Sequence, residues 1–568
     1  KAATHSWSIS VLGPRTSPAS GDARLHQASK HNPKEPASPH SSMAYERRKT
    51  IGQLFAVGFH GTEIDDNIRS LIRDYGVGAI VLFKRNVRDA AQLRGLCLGL
   101  QTIAQEAGHD QPLFVGIDQE NGLVTRISPP IAAQMPGPMA LGAAGSLDSA
   151  HAIAKATGEM LRHFGINMNY APVGDINSEP LNPVIGTHSP GDDPEKVSQF
   201  AAACASGLRE CRIVPCIKHF PGHGDTAVDS HYGLPVINKS REDLEKTELV
   251  PFRHAAAAGI EMVMTAHISL PGLAGSKLPA TLSPEAIGIL RNDMEYQGVI
   301  MTDCMEMDGI RATYGTVEGS LMAFQAGVDN VMICHTYEVQ TAAVDRICQA
   351  ISSGEISQQR IDASLDRLRK LKSRFTSWDA ALQAQTPDSL SAINKKGEVV
   401  ARRVYQDATT LVRSQPGVLP LSRTAKTVFV SPGPNIPIGG AVDSGDATLP
   451  TRVPWIKSSF GDALRRYNPS VVDIRFTDST LSEDQWRQVD DADVVILATR
   501  NARESQYQKD LGMEIVRRRG ESPLVSIATC NPYDFLEDGE MGTYLAVYEP
   551  TVEAFQSGVD IIYGEAPA

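Results

Sequence analysis

An α/β protein, a (β/α)8 TIM barrel followed by a smaller three-layer α/β sandwich domain, is what this sequence predicts, and three observations carry that reading. Short apolar runs alternate with helical stretches eight times before residue 335. Polar residues follow those runs repeatedly, as they do where a barrel gathers its chemistry at the C-terminal ends of its strands. A second alternation of strand and helix begins after a polar stretch near residues 373–396.

Taken in order, residues 1–42 are rich in Ser, Pro, His and Lys and show no period of 2 or 3.6, so they read as a disordered tail or pro-segment unable to offset its ordering entropy. The barrel is assigned to 43–375, with strands expected at 55–59, 79–83, 113–117, 168–173, 214–218, 262–266, 299–302 and 330–334. Asp118 and Glu120 follow the third run, Asp175 and Asn177 the fourth, and Lys218 and His219 the fifth. His267, Asp303 and His335 follow the last three. Any one polar residue after a strand simply begins a loop; six such positions on one face suggest a site. A linker is expected over 376–396 and the sandwich over 397–568, with strands near 427–430, 471–474, 494–498, 524–528 and 544–548.

A chain of 568 residues is long enough for two or three domains without disulfide staples. Its formal charge of −12 argues against nucleic-acid binding and fits a small-molecule substrate. Eight cysteines without a CxxC pair read as reduced and mostly buried. No apolar run reaches the roughly 18 residues of a membrane helix, so no membrane partner is expected. The cytoplasm is favoured because no signal peptide is visible, with secretion of a processed chain as the alternative; the single sequon singled out, Asn238-Lys239-Ser240, adds little.

The richest stretch runs from Lys218-His219-Phe220-Pro221-Gly222-His223-Gly224-Asp225-Thr226 to Asp229-Ser230-His231. A metal hydrolase is one reading of its histidines and aspartates. Pro221 and Gly222 weaken it, since they disfavour the helix that would bring His219 and His223 together. A structural loop with backbone-bonded histidines is a second reading. The third is acid/base work, in which Asp229 accepts the other ring proton of His231, fixes its tautomer and raises its pKa. Spacing permits that dyad without requiring it. Pro221, Gly222 and Gly224 between strand and dyad suggest an arm that moves, with His223 and Asp225 shaping the loop.

These residues resemble the signature of glycoside hydrolase family 3 β-N-acetylglucosaminidases. The likeness extends to Asp118-Gln119-Glu120-Asn121-Gly122 with Arg126, to Ala171-Pro172-Val173 with Asp175 and Asn177, to Asn182-Pro183-Val184-Ile185-Gly186, and to Gly298-Val299-Ile300-Met301-Thr302-Asp303. It is looser in the second domain, through Thr409-Thr410-Leu411-Val412 and Leu419-Pro420-Leu421. The resemblance implies a retaining exo-β-N-acetylglucosaminidase that removes terminal N-acetylglucosamine from an oligosaccharide or glycoconjugate. Asp303 is then the nucleophile, His231 held by Asp229 the general acid/base, and Asp118, Arg126, Lys218 and His219 the sugar ligands, with His267 lining the same pocket. It implies no cofactor and no metal.

Several positions depart from the family pattern. Asn121 stands where glycine is usual, Leu123 where arginine is common, and Cys304 where a second aspartate often follows the nucleophile. His188-Ser189-Pro190-Gly191 replaces an arginine followed by Ser-Phe-Gly, which makes His188 an altered sugar contact. The alternatives are a β-glucosidase or β-xylosidase of the same family, whose acid is usually a glutamate from the second domain, an N-acetylglucosaminide phosphorylase, and a non-catalytic sugar-binding barrel.

Overall fold

A computed structural model describes residues 39–182, 184–226, 229–231, 233–274, 277–383, 387–433 and 459–567. Most of the expected tail, 1–38, lies outside the described residues; its end does not stay irregular, since a helix spans Pro39–Gly52, where Pro39 meets the first-turn tolerance for a missing N–H. The barrel and the second sheet both lie in the unit Tyr45–Ala568.

Eight parallel strands close into a barrel in chain order: β1 (Phe55–Gly58), β2 (Ala79–Leu82), β3 (Phe114–Ile117), β4 (Met168–Asn169), β5 (Val214–Phe220), β6 (Met262–Thr265), β7 (Val299–Cys304) and β8 (Asn330–Ile333). Residues such as Phe55, Val57, Ile80, Val115, Val263, Ile300 and Val331 are buried, as strands covered on both faces require. β4 is shorter than its apolar run, although backbone bonds continue past it, Tyr170 N donating to Ile117 O and Cys216 N to Ala171 O. Side chains reinforce its pairing with β3. Asn167 Oδ1 accepts from Val115 N (2.8 Å) while its Nδ2 donates to Leu113 O (3.0 Å), and Asn169 bonds Gln119 in the same two-way fashion. β5 instead runs past its expected end at 218 to carry His219 on the strand.

The second domain is a six-stranded sheet made of β9 (Thr410–Arg413), β10 (Thr427–Pro432), β11 (Val472–Phe476), β12 (Val494–Thr499), β13 (Leu524–Ala528) and β14 (Thr543–Ala546), in the order β11-β10-β12-β13-β14-β9. Its period of two divides the core. Phe429, Ile496, Val525 and Leu545 pack with Val404, Phe460, Phe555 and Val559 on one face, whereas Val428, Val430, Val495 and Leu497 pack with Trp486, Val489, Leu511 and Ile515 on the other. Five strands are parallel or edge-paired as expected; β9, which the alternation did not reveal, adds antiparallel to β14. No helix among the described residues is long and apolar enough to cross a membrane, and all eight cysteines are free, five of them buried.

The second half of the expected linker is helical, since Pro387–Ala408 is one 22-residue helix. It forms because Ala401, Val404 and Tyr405 bury an apolar stripe that packs in one cluster with Ile153 and Phe200 of the barrel helices. Tyr405 also completes a buried strut between domains. Glu549 Oε1 accepts from Tyr405 OH (2.6 Å) and Thr551 Oγ1 (2.9 Å), and its Oε2 accepts from Gly137 N of the barrel (2.7 Å). Glu549→Ala is expected to lower stability by about 3 kcal/mol in urea unfolding, since a buried hydroxyl and a buried N–H lose their acceptor. A change below ~0.5 kcal/mol would show the strut to be dispensable.

Candidate active site

The C-terminal ends of the barrel strands enclose a cavity of about 760 Å³, and every described residue lining it lies between His60 and Val339. Asp118, Arg126, Lys218, His219, His188, His231 and Asp303 all line it. His267 does not.

At the ends of β3 and β5, Lys218 Nζ sits between Asp118 Oδ1 and Glu120 Oε1, each at 2.7 Å. Arg126 approaches Asp118 Oδ2 at 3.6 Å, and His188 Nδ1 meets Glu120 Oε2 at 2.9 Å. Burial opposes the Lys218 ammonium, but the charges of Asp118 and Glu120 outweigh it and hold the pKa above the ordinary lysine value. The same balance, with the Lys218 charge and the His188 ring opposing burial, holds Glu120 well below the usual carboxylate range. A single fixed charge network thus forms one wall, with Asp118 as its most accessible carboxylate. Glu120 is the member sequence reasoning passed over: it stood beside Asp118 at a strand end, and its partner His188 is 68 residues away in chain order.

His219 turns its Nδ1 to Asp175 Oδ2 (2.7 Å), which leaves Nε2 facing Asp303 Oδ2 at 3.9 Å. Asp175 is fully buried and also accepts from the backbone N–H groups of His219 and His223, so one carboxylate fixes the start of the loop. Asp303, near the end of β7, accepts from Cys304 N at 2.6 Å. Burial works against its charge, yet His219, His267, His231 and that N–H together keep its pKa below the ordinary aspartate value.

His267 departs from the expected pocket-lining role. It is fully buried, with Nδ1 against Thr281 Oγ1 (2.9 Å) and Nε2 against Cys304 O (3.0 Å). Both ring nitrogens are committed, so it supports the strand end that carries Asp303 from behind.

On the loop, His231 Nδ1 and Asp229 Oδ1 lie 2.7 Å apart and His231 N donates to the same oxygen at 2.9 Å. Two bonds to one carboxylate oxygen are what lets residues two apart face each other in a tight curve. Burial pushes the His231 pKa down; the hydrogen bond and charge of Asp229, aided by Asp303, outweigh it and raise the pKa above that of free histidine. His223 is pinned between Thr226 Oγ1 and Ser230 Oγ, both at 2.9 Å, and burial lowers its pKa to about 4. Asp225 pairs with Lys239 at 3.0 Å. Within the Asn182-Pro183-Val184 motif, Asn182 Nδ2 donates to the carbonyls of His223 and Gly224, whereas Pro183 lies outside the described residues.

The two loop glycines serve close approach. A Cβ at Gly224 would lie 1.5 Å from Ile176 O, and one at Gly222, whose φ is +120°, would lie 2.6 Å from Glu248 Cβ. Gly224→Ala is therefore expected to push the loop off the β4 connection, with a stability loss of about 1–3 kcal/mol by urea titration and a matching fall in turnover. Asn121, which stands where the family pattern has glycine, has φ +75°, a conformation asparagine tolerates, and donates from Nδ2 to Thr157 Oγ1 at 3.0 Å.

The opposite wall was not foreseen. His60, Phe83, Glu306, Arg311, Tyr314 and His335 line it. His335 was visible as a strand-end residue, but nothing in the sequence spacing ties it to Phe83 or His60, whose rings lie 5.9 and 6.1 Å from its own.

Residues 47–371 match the model of the glycosyl hydrolase family 3 N-terminal domain. β-Hexosaminidase A of Pseudoalteromonas piscicida is 33% identical over 394 residues, which make up 65% of this chain and 64% of that protein. A family 3 β-N-acetylglucosaminidase from Paenibacillus sp. str. FPU-7 is 35% identical with a TM-score of 0.84, covering 92% of this chain and 97% of that one. A fungal multi-domain family 3 β-N-acetylglucosaminidase is 37% identical with the same TM-score of 0.84 over 91% of this chain. The chain spans 59% of the fungal protein, so it accounts for less than two thirds of that relative and of the Pseudoalteromonas enzyme.

Proposed function

The chain belongs to glycosyl hydrolase family 3, and from that premise we propose that it is a retaining exo-β-N-acetylglucosaminidase in which Asp303 is the nucleophile and the His231–Asp229 pair the general acid/base. The observation that carries the reading is that Asp303 and His231 both line one cavity whose described lining comes entirely from the barrel. A β-glucosidase with its acid on the second domain has no such residue there among the described ones.

In the first step the Asp303 carboxylate bonds to the anomeric carbon, the glycosidic C–O bond breaks, and the His231 Nε2 proton passes to the departing oxygen. In the second, water gives a proton back to Nε2 as its oxygen displaces Asp303, releasing the sugar with its original configuration. Asp229 holds Nδ1–H, so that Nε2 carries the exchanging proton. The wall of Asp118, Lys218 and Arg126 offers fixed acceptors and donors for sugar hydroxyls, and His219 stands between that wall and the nucleophile. His188, committed to Glu120, contacts the sugar through its remaining nitrogen.

The test is hydrolysis of an aryl N-acetyl-β-glucosaminide against the matching β-glucoside and β-xyloside, with and without phosphate. A kcat/KM at least about tenfold higher for the N-acetylglucosaminide supports the reading. Preference for the glucoside overturns it, a sugar 1-phosphate product moves it to a phosphorylase, and sugar binding without turnover of any substrate favours a binding barrel.

A further inference from the structure

One cluster in the cavity has no place in the reaction just described. Cys304 Sγ, a Glu306 carboxylate oxygen and a ring nitrogen of His335 all lie within 4.8 Å of one another. All three residues line the cavity, on the wall facing the Lys218 network. Cys304 is the last residue of β7 and His335 stands two places after the end of β8, so barrel closure brings the two together. Glu306 is held in place by accepting from His335 N at 2.6 Å.

We propose that Cys304, Glu306 and His335 form a three-ligand site for a thiophilic divalent cation of the zinc class, and that a cation bound there blocks sugar access to the cavity. Thiolate, imidazole and carboxylate together are a zinc-type donor set, whereas magnesium and calcium take oxygen ligands. Zinc bond lengths place a sulfur and a nitrogen ligand about 3.5 Å apart in a tetrahedron, a separation that lies within the 4.8 Å span of the present triangle. All three ligands line the cavity, so the fourth position opens onto it and a bound water there would occupy space a sugar needs. Arg85, a cation on this side, directs its guanidinium to the carbonyls of Phe59 and Cys334 and lies over the Phe83 ring. The site is separate from the two His–Asp pairs, since His219 and His231 each face a carboxylate through Nδ1. Coordination by Cys304 releases its thiol proton to solvent, so cation uptake falls as the pH is lowered.

The binding half of the proposal stands on this geometry alone; the blocking half rests on the glycosidase reading. Cobalt titration of the full chain under a phosphine reductant separates them. One equivalent of Co2+ is expected to give a sulfur-to-cobalt charge-transfer band that zinc displaces. Cys304→Ser should remove the band, Glu306→Gln should weaken binding at least about tenfold, and Asp229→Asn should leave the band in place. Zinc should raise KM for the aryl substrate and EDTA should reverse the effect, with the inhibitory zinc concentration at least about tenfold higher in Cys304→Ser relative to that variant's own metal-free rate. Absence of the band in the wild-type chain, or its persistence in folded Cys304→Ser, overturns the site. A band without inhibition overturns the blocking. A chain inactive on every aryl glycoside overturns the glycosidase reading and leaves the cobalt result to stand by itself.

Discussion

Asp303→Ala is expected to lower kcat/KM for an aryl N-acetyl-β-glucosaminide by about 10⁴-fold or more, with unchanged urea stability within ~0.5 kcal/mol. The size follows from what is lost. Without the carboxylate no glycosyl-enzyme forms, and the remaining groups bind and orient the sugar with nothing to bond the anomeric carbon. Fold is not at stake, because Asp303 is partly accessible and the backbone bond its carboxylate accepts, from Cys304 N, belongs to the strand end and not to the core. The variant leaves a hole on the face of the sugar opposite the leaving group, so azide should restore turnover and give the α-glycosyl azide, where the wild type gives the β-configured sugar. Undiminished turnover in Asp303→Ala would sink the nucleophile assignment, and a β-azide would show that another group forms the covalent bond.

The barrel was legible because each of its strands is covered on both faces and so reads as an unbroken apolar run followed by polar residues. Asp118, Lys218, His219 and Asp303 stood at the ends of such runs, and the cavity gathers them all. His267 stood at one too, but the sequence carries no sign of which way a strand-end side chain turns; Thr281 and Cys304 O claim its two nitrogens. The pairing of Glu120 with His188 and the approach of Cys304, Glu306 and His335 depend on loops and on barrel closure, which local periodicity does not encode. Gly224 reads in sequence as freedom, whereas in the fold it is the residue that lets Ile176 O come close. The helix Pro387–Ala408 was hidden for a similar reason: its first turns are mostly polar, with Leu390 and Ile393 only partly buried against the barrel core, and its fully buried apolar side chains begin at Ala401.

Asp229→Asn is expected to lower kcat/KM by about 10²–10³-fold and to move the alkaline limb of its pH profile to lower pH. The sign follows from the proton balance. The first chemical step needs His231 protonated, so activity falls as the pH rises through the His231 pKa. Burial lowers that pKa, and the hydrogen bond and charge of Asp229, with Asp303 behind them, raise it above the ordinary histidine value. Asparagine keeps a hydrogen-bond acceptor but removes a charge, so burial regains ground and the limb shifts down. The acid limb has a different owner: Asp303 must be ionised, and since its pKa lies below the ordinary aspartate value, activity is lost only as the pH falls through that depressed range. The two limbs are properties of a coupled pair, so losing the Asp229 charge is expected to move the alkaline limb by more than the acid one. Leaving-group dependence gives a second readout. A dinitrophenyl aglycone departs with little help from an acid, so the loss in kcat/KM should shrink toward the wild-type value for that substrate while remaining large for a natural disaccharide. An alkaline limb that stays where it is in Asp229→Asn, together with an equal loss on both aglycones, would mean that the pair shapes the loop and that the exchanged proton belongs to another group.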